Sequence, residues 1–264
     1  MNIFFREMKA NRKALIIWCA CMIIGVISGM AKYTAYSSGG TSSQVIKDLP
    51  QSIKALFGMG SLDVTTMSGF FAFLFLYLAV AAAIHAAILG SGILAKEERD
   101  KTTEFLVVKP VSRFSIVTSK LSAAFVNIVI LNIVTMVTSI GMVAAYNKGK
   151  DITGEIVVFF LSMLVIQLIF LSLGALLSAF MRNSKGAGSI ASSTVIGAYI
   201  ISAITNFNDR LNALNVLSPF KYFSYNRIIA GNGLSPGIVA LSIILVAVFT
   251  ASTYFFYEKR DLNV

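Results

Sequence analysis

Six stretches of this chain contain no aspartate, glutamate, lysine or arginine: Ala14 to Ala31, Val64 to Ala95, Leu121 to Asn147, Ile156 to Met181, Gly186 to Asn208, and Pro236 to Tyr257. A hydrocarbon core about 30 Å thick is crossed by roughly 20 apolar residues rising 1.5 Å each, so every one of these runs can span as a helix. Lipid offers no partner to a bare peptide group, which leaves helices and closed barrels as the only spanning structures. A barrel would show short alternating strands between turns, and these runs do not. The predicted fold is all-α: a polytopic membrane protein with six transmembrane helices, near 14–35, 67–95, 115–146, 156–181, 187–207 and 236–257, in a single transmembrane domain over 1–264. Composition agrees, with 56% hydrophobic and only 13% charged residues, against about 25% charged in a soluble domain. The first run follows a basic start as a secretory leader would, but it lacks a small-x-small cleavage site and is expected to remain as the first span.

The net charge of +10 raises the question of nucleic acid, and the placement of the basic residues answers it. Four precede the first run, six lie between Lys96 and Lys120, and Arg182, Lys185, Lys259 and Arg260 complete a set that alternate connections share. The positive-inside rule then puts both termini in the cytoplasm and the segments 32–67, 147–155 and 209–235 outside a plasma membrane. Membrane lipid is the polyanion expected to attract the excess, and no nucleic-acid partner is expected. Residues 2–13 suit an interfacial helix at the inner surface, with Arg6, Lys9 and Lys13 on one face and Arg12 close by, although Glu7 and Phe5 interrupt the pattern.

Small residues recur every four positions at Cys21, Gly25 and Gly29, at Ala82, Ala86 and Gly90, and at Ser189, Ser193 and Gly197. Lipid tails give helices no hydrophobic reason to associate, so close approach through small side chains is expected to pack these faces. Cys19 and Cys21 lie two apart on one helix and cannot pair with each other. DLPQSIKALFG, from Asp48, and NFNDRLNALNVLSPFKYFSYNR, from Asn206, are amphipathic and expected at the outer surface, with Phe220, Tyr222, Phe223 and Tyr225 at the membrane interface. Ser235 and Pro236 form a cap and first-turn pair for the sixth span.

Several chemistries have no residues to carry them. The charge-free runs offer no carboxylate for ion coupling. Gly149-Lys150 is followed by Asp151 instead of Ser or Thr and lacks the leading glycine of a phosphate loop. No enzyme activity and no bound cofactor or metal are expected of this chain. His85 is the only histidine, too few for a zinc site. Its simpler reading is a neutral imidazole bonded between helices, and the other is a substrate or gating role. Ser91 lies six residues on, about 240° round the helix, so the two form no local dyad. Asn127, Asn132 and Gln167 read as interhelical hydrogen bonders or, alternatively, as lining a pathway.

Against this background KEERDKTTEFLVVKPVSR, Lys96 to Arg113, carries nine charges in eighteen positions. Each charge at the bilayer centre costs about 2.5 to 3.5 kcal/mol, so the strip must lie outside the hydrocarbon. Glu97 and Lys101 form an i,i+4 pair, Pro110 stops the helix, and Ser112 is placed to cap the next one at Arg113. The apolar run from Phe105 to Val108 adjoins the charges. That arrangement suits a docking surface, and it equally suits a solvated connector.

The strip resembles the cytoplasmic segment of integral-membrane permeases of ATP-binding cassette exporters, the type-two permease family, in which an acidic pair precedes a Thr-x-Glu-x-Leu-like stretch and then Pro-Val-Ser-Arg. DLPQSIKALFG, LSPFKYF before the last span and the closing YEKRDLNV agree with it. The resemblance implies that 96–109 is a coupling helix in which Glu97, Glu98, Thr103, Glu104 and Phe105 dock on a separate ATPase dimer, with Arg113 in the turn that follows. Relatives often have Gly-Thr where Thr102-Thr103 stand. It implies ATP and Mg in that partner, a second permease copy or related permease, and an outward direction. An ATPase-independent facilitator or channel, or a membrane immunity or scaffold protein, are the alternatives.

Overall fold

The computed structural model describes residues 3–37, 50, 53–54, 62–99, 112–147, 149, 151–181, 184–206 and 209–259, with the side chains at 97–99, 184–185, 209–210 and 212 outside that description. The helices are α1 (Ile3–Met30), α2 (Tyr33–Ser37), α3 (Met67–Arg99), α4 (Arg113–Tyr146), α5 (Thr153–Phe180), α6 (Ser184–Thr205), α7 (Tyr225–Ile229) and α8 (Pro236–Lys259), with 3-10 turns at Asp209–Leu217 and Pro219–Lys221 between α6 and α7. All except the short α2 and α7 are long and apolar enough to cross a membrane, which makes six spans, the number expected. No strand is present among the described residues.

The centre of the bundle is the pair α3 and α5. Their buried faces meet through Phe71 and Phe75 of one and Phe159 and Phe160 of the other, with ring centroids 4.9 to 5.9 Å apart. Farther along, the rings give way to Ala82, Ala86 and Gly90, all on one face as their four-residue spacing predicts. There the two backbones touch. A Cβ on Gly90 would strike the carbonyl oxygen of Leu171, and one on Gly174 would strike that of Ala87. Only hydrogen fits at either position, and close packing of this kind is what holds spans together where lipid competes equally for apolar side chains.

The other stripes divide. Gly25 and Gly29 of α1 pack on Leu78 and Leu74 of α3, while Cys21 is exposed. The expected face of α6 is not its packing face: Ser189 and Ser193 are exposed, nothing lies within 4 Å of a Cβ built on Gly197, and Ala187, Ala191, Val195 and Ala198 are buried instead. Both stripes are small, so either permits close approach, and the neighbouring helices decide which one turns inward.

Residues 3–13 are helical, but they join the first span in one element instead of lying apart as an interfacial helix. No glycine or proline occurs from Ile3 to Ile24 to break the turn. At 1.5 Å per residue the 28-residue α1 reaches about 42 Å, beyond the hydrocarbon thickness, so its first turns project past the bundle's apolar zone.

Ile3, Arg99, Arg113, Phe180, Ser184 and Lys259 mark one end of the bundle, the basal end; Met30, Met67, Tyr146, Thr153, Thr205 and Pro236 mark the distal end. At the distal end, the rings expected at the membrane interface are packed inside the protein. Phe220, Tyr222 and Phe223 are buried, Phe220 lies 5.7 Å from Phe170, and Tyr225 lies 5.8 Å from Phe159. Aromatic rings find as good a partner in other rings as in the interface, and the spacing in sequence does not separate the two. Burial raises the Tyr222 and Tyr225 phenol pKa values and lowers that of Lys221, whose ammonium donates to Asn206. Asp151 accepts from the Thr153 amide at 2.9 Å and its hydroxyl at 2.6 Å, bonds that hold its carboxyl below the usual range at the start of α5.

The crossing gives a direct test. Gly90→Ala and Gly174→Ala are each expected to cost about 1 to 3 kcal/mol, because a backbone carbonyl cannot rotate away as a side chain can. Gly92→Ala and Gly141→Ala, where an added Cβ meets nothing within 4 Å, are expected to be neutral or stabilising by about 0.5 to 1 kcal/mol. Unfolding of the four variants in mixed micelles separates the two classes.

Candidate functional site

The charged strip leaves α3 at the basal end and returns into α4. The backbones of Glu97 and Glu98 form the last turn of α3, and their side chains, like all of Thr103, Glu104 and Phe105, lie outside the described residues. Both margins of the strip are described, and both are pinned.

At the far margin, Ser112 caps α4 as its position before Arg113 predicts: its hydroxyl accepts from the Ser115 amide at 3.2 Å. Arg113 Nη1 reaches the last turn of α8, donating to the Glu258 carbonyl at 2.8 Å and the Tyr257 carbonyl at 3.4 Å. A guanidinium there meets the negative end of the helix dipole and carbonyls that have no partner within the helix. Phe114 stacks on Tyr254 at 4.8 Å, and the Thr118 and Tyr254 hydroxyls are 2.9 Å apart. The start of the third span is thereby clasped to the end of the sixth.

At the near margin stands a group that the sequence pattern did not single out as a site. Lys120 of α4 is fully buried and donates from Nζ to the Ile93 carbonyl of α3 at 2.6 Å. Its ammonium lies 3.9 Å from Oε1 of Glu7 on α1, itself 1% exposed, and Arg6 Nη2 donates to the same oxygen at 3.2 Å. Asn11 donates to the Glu7 carbonyl at 3.1 Å. Three helices thus meet around one buried pair of opposite charge. Glu7 disturbed the basic face of residues 2–13 because it points inward, and that interruption was the signal. Lys120, alone in the apolar stretch after Arg113, was its counterpart.

The remaining basic residues of α1, Lys9, Arg12 and Lys13, are exposed. They surround the buried pair with positive charge at the basal end.

Within the bundle, the Asn132 amide of α4 donates to the Phe160 carbonyl at 3.2 Å and to Gln167 Oε1 at 3.1 Å, joining α4 to α5. Asn127 donates to Ala123 of its own helix at 2.7 Å and contacts the Met8 sulfur of α1 at 3.2 Å. His85 is buried against Trp18, with ring centroids 5.2 Å apart. Its Nδ1 has no hydrogen-bond partner among the described residues, so the expected interhelical bond is replaced at that nitrogen by a ring contact. Among the described residues no three His, Cys, Asp or Glu side chains come together as a metal site would require.

The arrangement has the parts of a mechanical link: the ends of α3 and α4 that flank the charged strip are tied to each other, to α1 and to α8. The model of the ABC-2 family transporter protein matches residues 1–262, nearly the whole chain. No curated protein matches it. The chain belongs to the ABC-2 transporter family and is a membrane permease of ATP-binding cassette transporters.

The buried pair makes its own prediction. Lys120→Met removes the buried cation that faces Glu7 while Arg6 stays on the carboxylate, and is expected to cost about 1 to 3 kcal/mol. Glu7→Gln with Lys120→Met removes both charges and is expected to recover most of that loss. A double-mutant cycle of unfolding free energies reads the difference.

Proposed function

We propose that this ABC-2 permease forms half of an exporter's translocation path and is driven by a separate ATPase subunit docked on residues 96–109. The observation that carries the reading is the position of the strip. It joins the basal ends of α3 and α4 in sequence, and the residues at its margins are tied to the N-terminal turns of α1 and the last turn of α8. A subunit that grips it is linked through those margins to four of the six spans.

The basal end faces the cytoplasm, in keeping with its basic residues. Glu97, Glu98 and Glu104 supply charge that orients the ATPase, and Phe105 with its apolar neighbours supplies contact area. Arg113 positions the turn by its bonds to α8. ATP and Mg bind to the partner dimer; ATP binding closes that dimer and drags the strip with it, and two packed permeases, identical or related, rock between inward- and outward-facing states. Arg6, Lys9, Arg12 and Lys13 hold the base against anionic headgroups.

Reversing Glu97, Glu98 and Glu104 together to Lys is expected to abolish co-purification of the ATPase subunit while thermal unfolding of the permease stays unchanged. Undiminished co-purification would contradict the docking role. His85→Gln is expected to leave ATPase-coupled transport nearly intact, since the ring's contact is with Trp18 and Gln fills much of the same space. Loss of transport from a normally assembled complex would instead assign His85 to the pathway.

A further inference from the structure

We infer that Lys120 and Glu7 are positioning residues that carry movement of the coupling segment to α1. The inference rests on the exporter reading above and adds to it the route by which the first span moves. Ile93, whose carbonyl takes the Lys120 ammonium, lies three residues before Lys96, where the strip begins; Lys120 lies seven residues after Arg113, where it ends. One ammonium therefore ties the two margins of the strip to each other. Through Glu7 it ties both to the first turns of α1.

A buried ion pair is a poor source of net stability, because the desolvation of each charge offsets most of the attraction. What it does supply is a geometry that tolerates little change. Glu7 is 1% exposed and Lys120 wholly buried, so separating them by a few ångströms forfeits their attraction in a low-dielectric setting where water cannot replace it. Helices joined only by apolar contact slide past one another at small cost; helices joined by this pair must move together. The remaining packing of α1 strengthens the argument. Along the stretch from Lys9 to Cys21 no residue is buried, and the next buried positions are Met22, Val26 and Met30 toward the distal end. At the basal end the buried residues of α1 are Ile3 and Glu7. Glu7 is the polar one of these two, and its ion pair with Lys120, beside the Asn127 contact to Met8, is the electrostatic connection of α1 to α4 there. Arg6 donates to the same Oε1 that faces Lys120, so the two cations of α1 and α4 share one carboxylate oxygen.

The test uses the complete complex of permease and ATPase in nanodiscs, in a Cys19→Ser, Cys21→Ser background. Spin labels at Lys9→Cys and Phe180→Cys report α1 against the end of α5, and labels at Lys109→Cys and Phe180→Cys report the strip. In the unaltered pair, a non-hydrolysable ATP analogue is expected to shift both distance distributions. With Glu7→Gln and Lys120→Met together, the strip shift is expected to persist while the α1 shift shrinks about threefold or more, a change within the range that substitutions along a coupling network produce. Unchanged melting temperature and ATPase content show that the loss is not one of folding. Should that double variant fail to assemble, Glu7→Gln alone, which keeps the Lys120 bond to Ile93, is judged by the same two distances. An α1 shift of full size in the altered complex overturns the linkage and leaves the exporter reading intact. Absence of a strip shift in the unaltered complex overturns both.

Discussion

The rest of the bundle depends on the point where α3 and α5 come together backbone to backbone. Apolar side chains on a membrane helix gain nothing by leaving lipid for protein, so the stability of the assembly rests on surfaces that fit closely. Gly90 and Gly174 each present a hydrogen to the other helix's carbonyl, at Leu171 and Ala87. With the central pair fixed there, the aromatic rings from Phe71 to Phe160 close the distal half, and α1, α4, α6 and α8 find surfaces to lie on. The helix ends on either side of the charged strip are positioned by the same packing.

The basal end uses a different physics from the crossing. Here the contacts are polar and directional: Arg113 on the carbonyls of α8, and Lys120 between Ile93 and Glu7. Both originate in α4, seven positions apart, and they reach different neighbours, α8 for one and α1 and α3 for the other. A segment set between two such anchors can transmit a push to several spans. A plain connector needs no anchors of that kind. This permease belongs to a transporter class in which energy comes from a nucleotide-binding subunit, and the geometry suits a chain that receives movement.

Much of the architecture was legible in the sequence because the bilayer is a severe solvent: a run without charge that is long enough to cross has few other uses. The Gly90 stripe was legible for the same reason, since only small residues permit close approach. The α6 stripe was misplaced because two small-residue faces compete on that helix, and the one that turns inward depends on neighbours the local pattern does not contain. Phe220, Tyr222 and Phe223 were placed at the interface because rings at the end of a span satisfy lipid headgroups and protein equally well. Glu7 and Lys120 are 113 positions apart, and nothing local marks two isolated charges as partners. The strip stood out by charge alone, while its role came from resemblance to a family.

The account places residues 96–113 inside the cell, within reach of an ATPase, and a single topological measurement tests that most directly. In a Cys19→Ser, Cys21→Ser background, one cysteine at Lys109 and another at Lys54 are treated separately with a membrane-impermeant thiol reagent. The account predicts that the cysteine at 54 reacts in intact cells and the one at 109 reacts only after the membrane is opened. Labelling of position 109 from outside intact cells would put the strip on the wrong side of the membrane and contradict the whole mechanism.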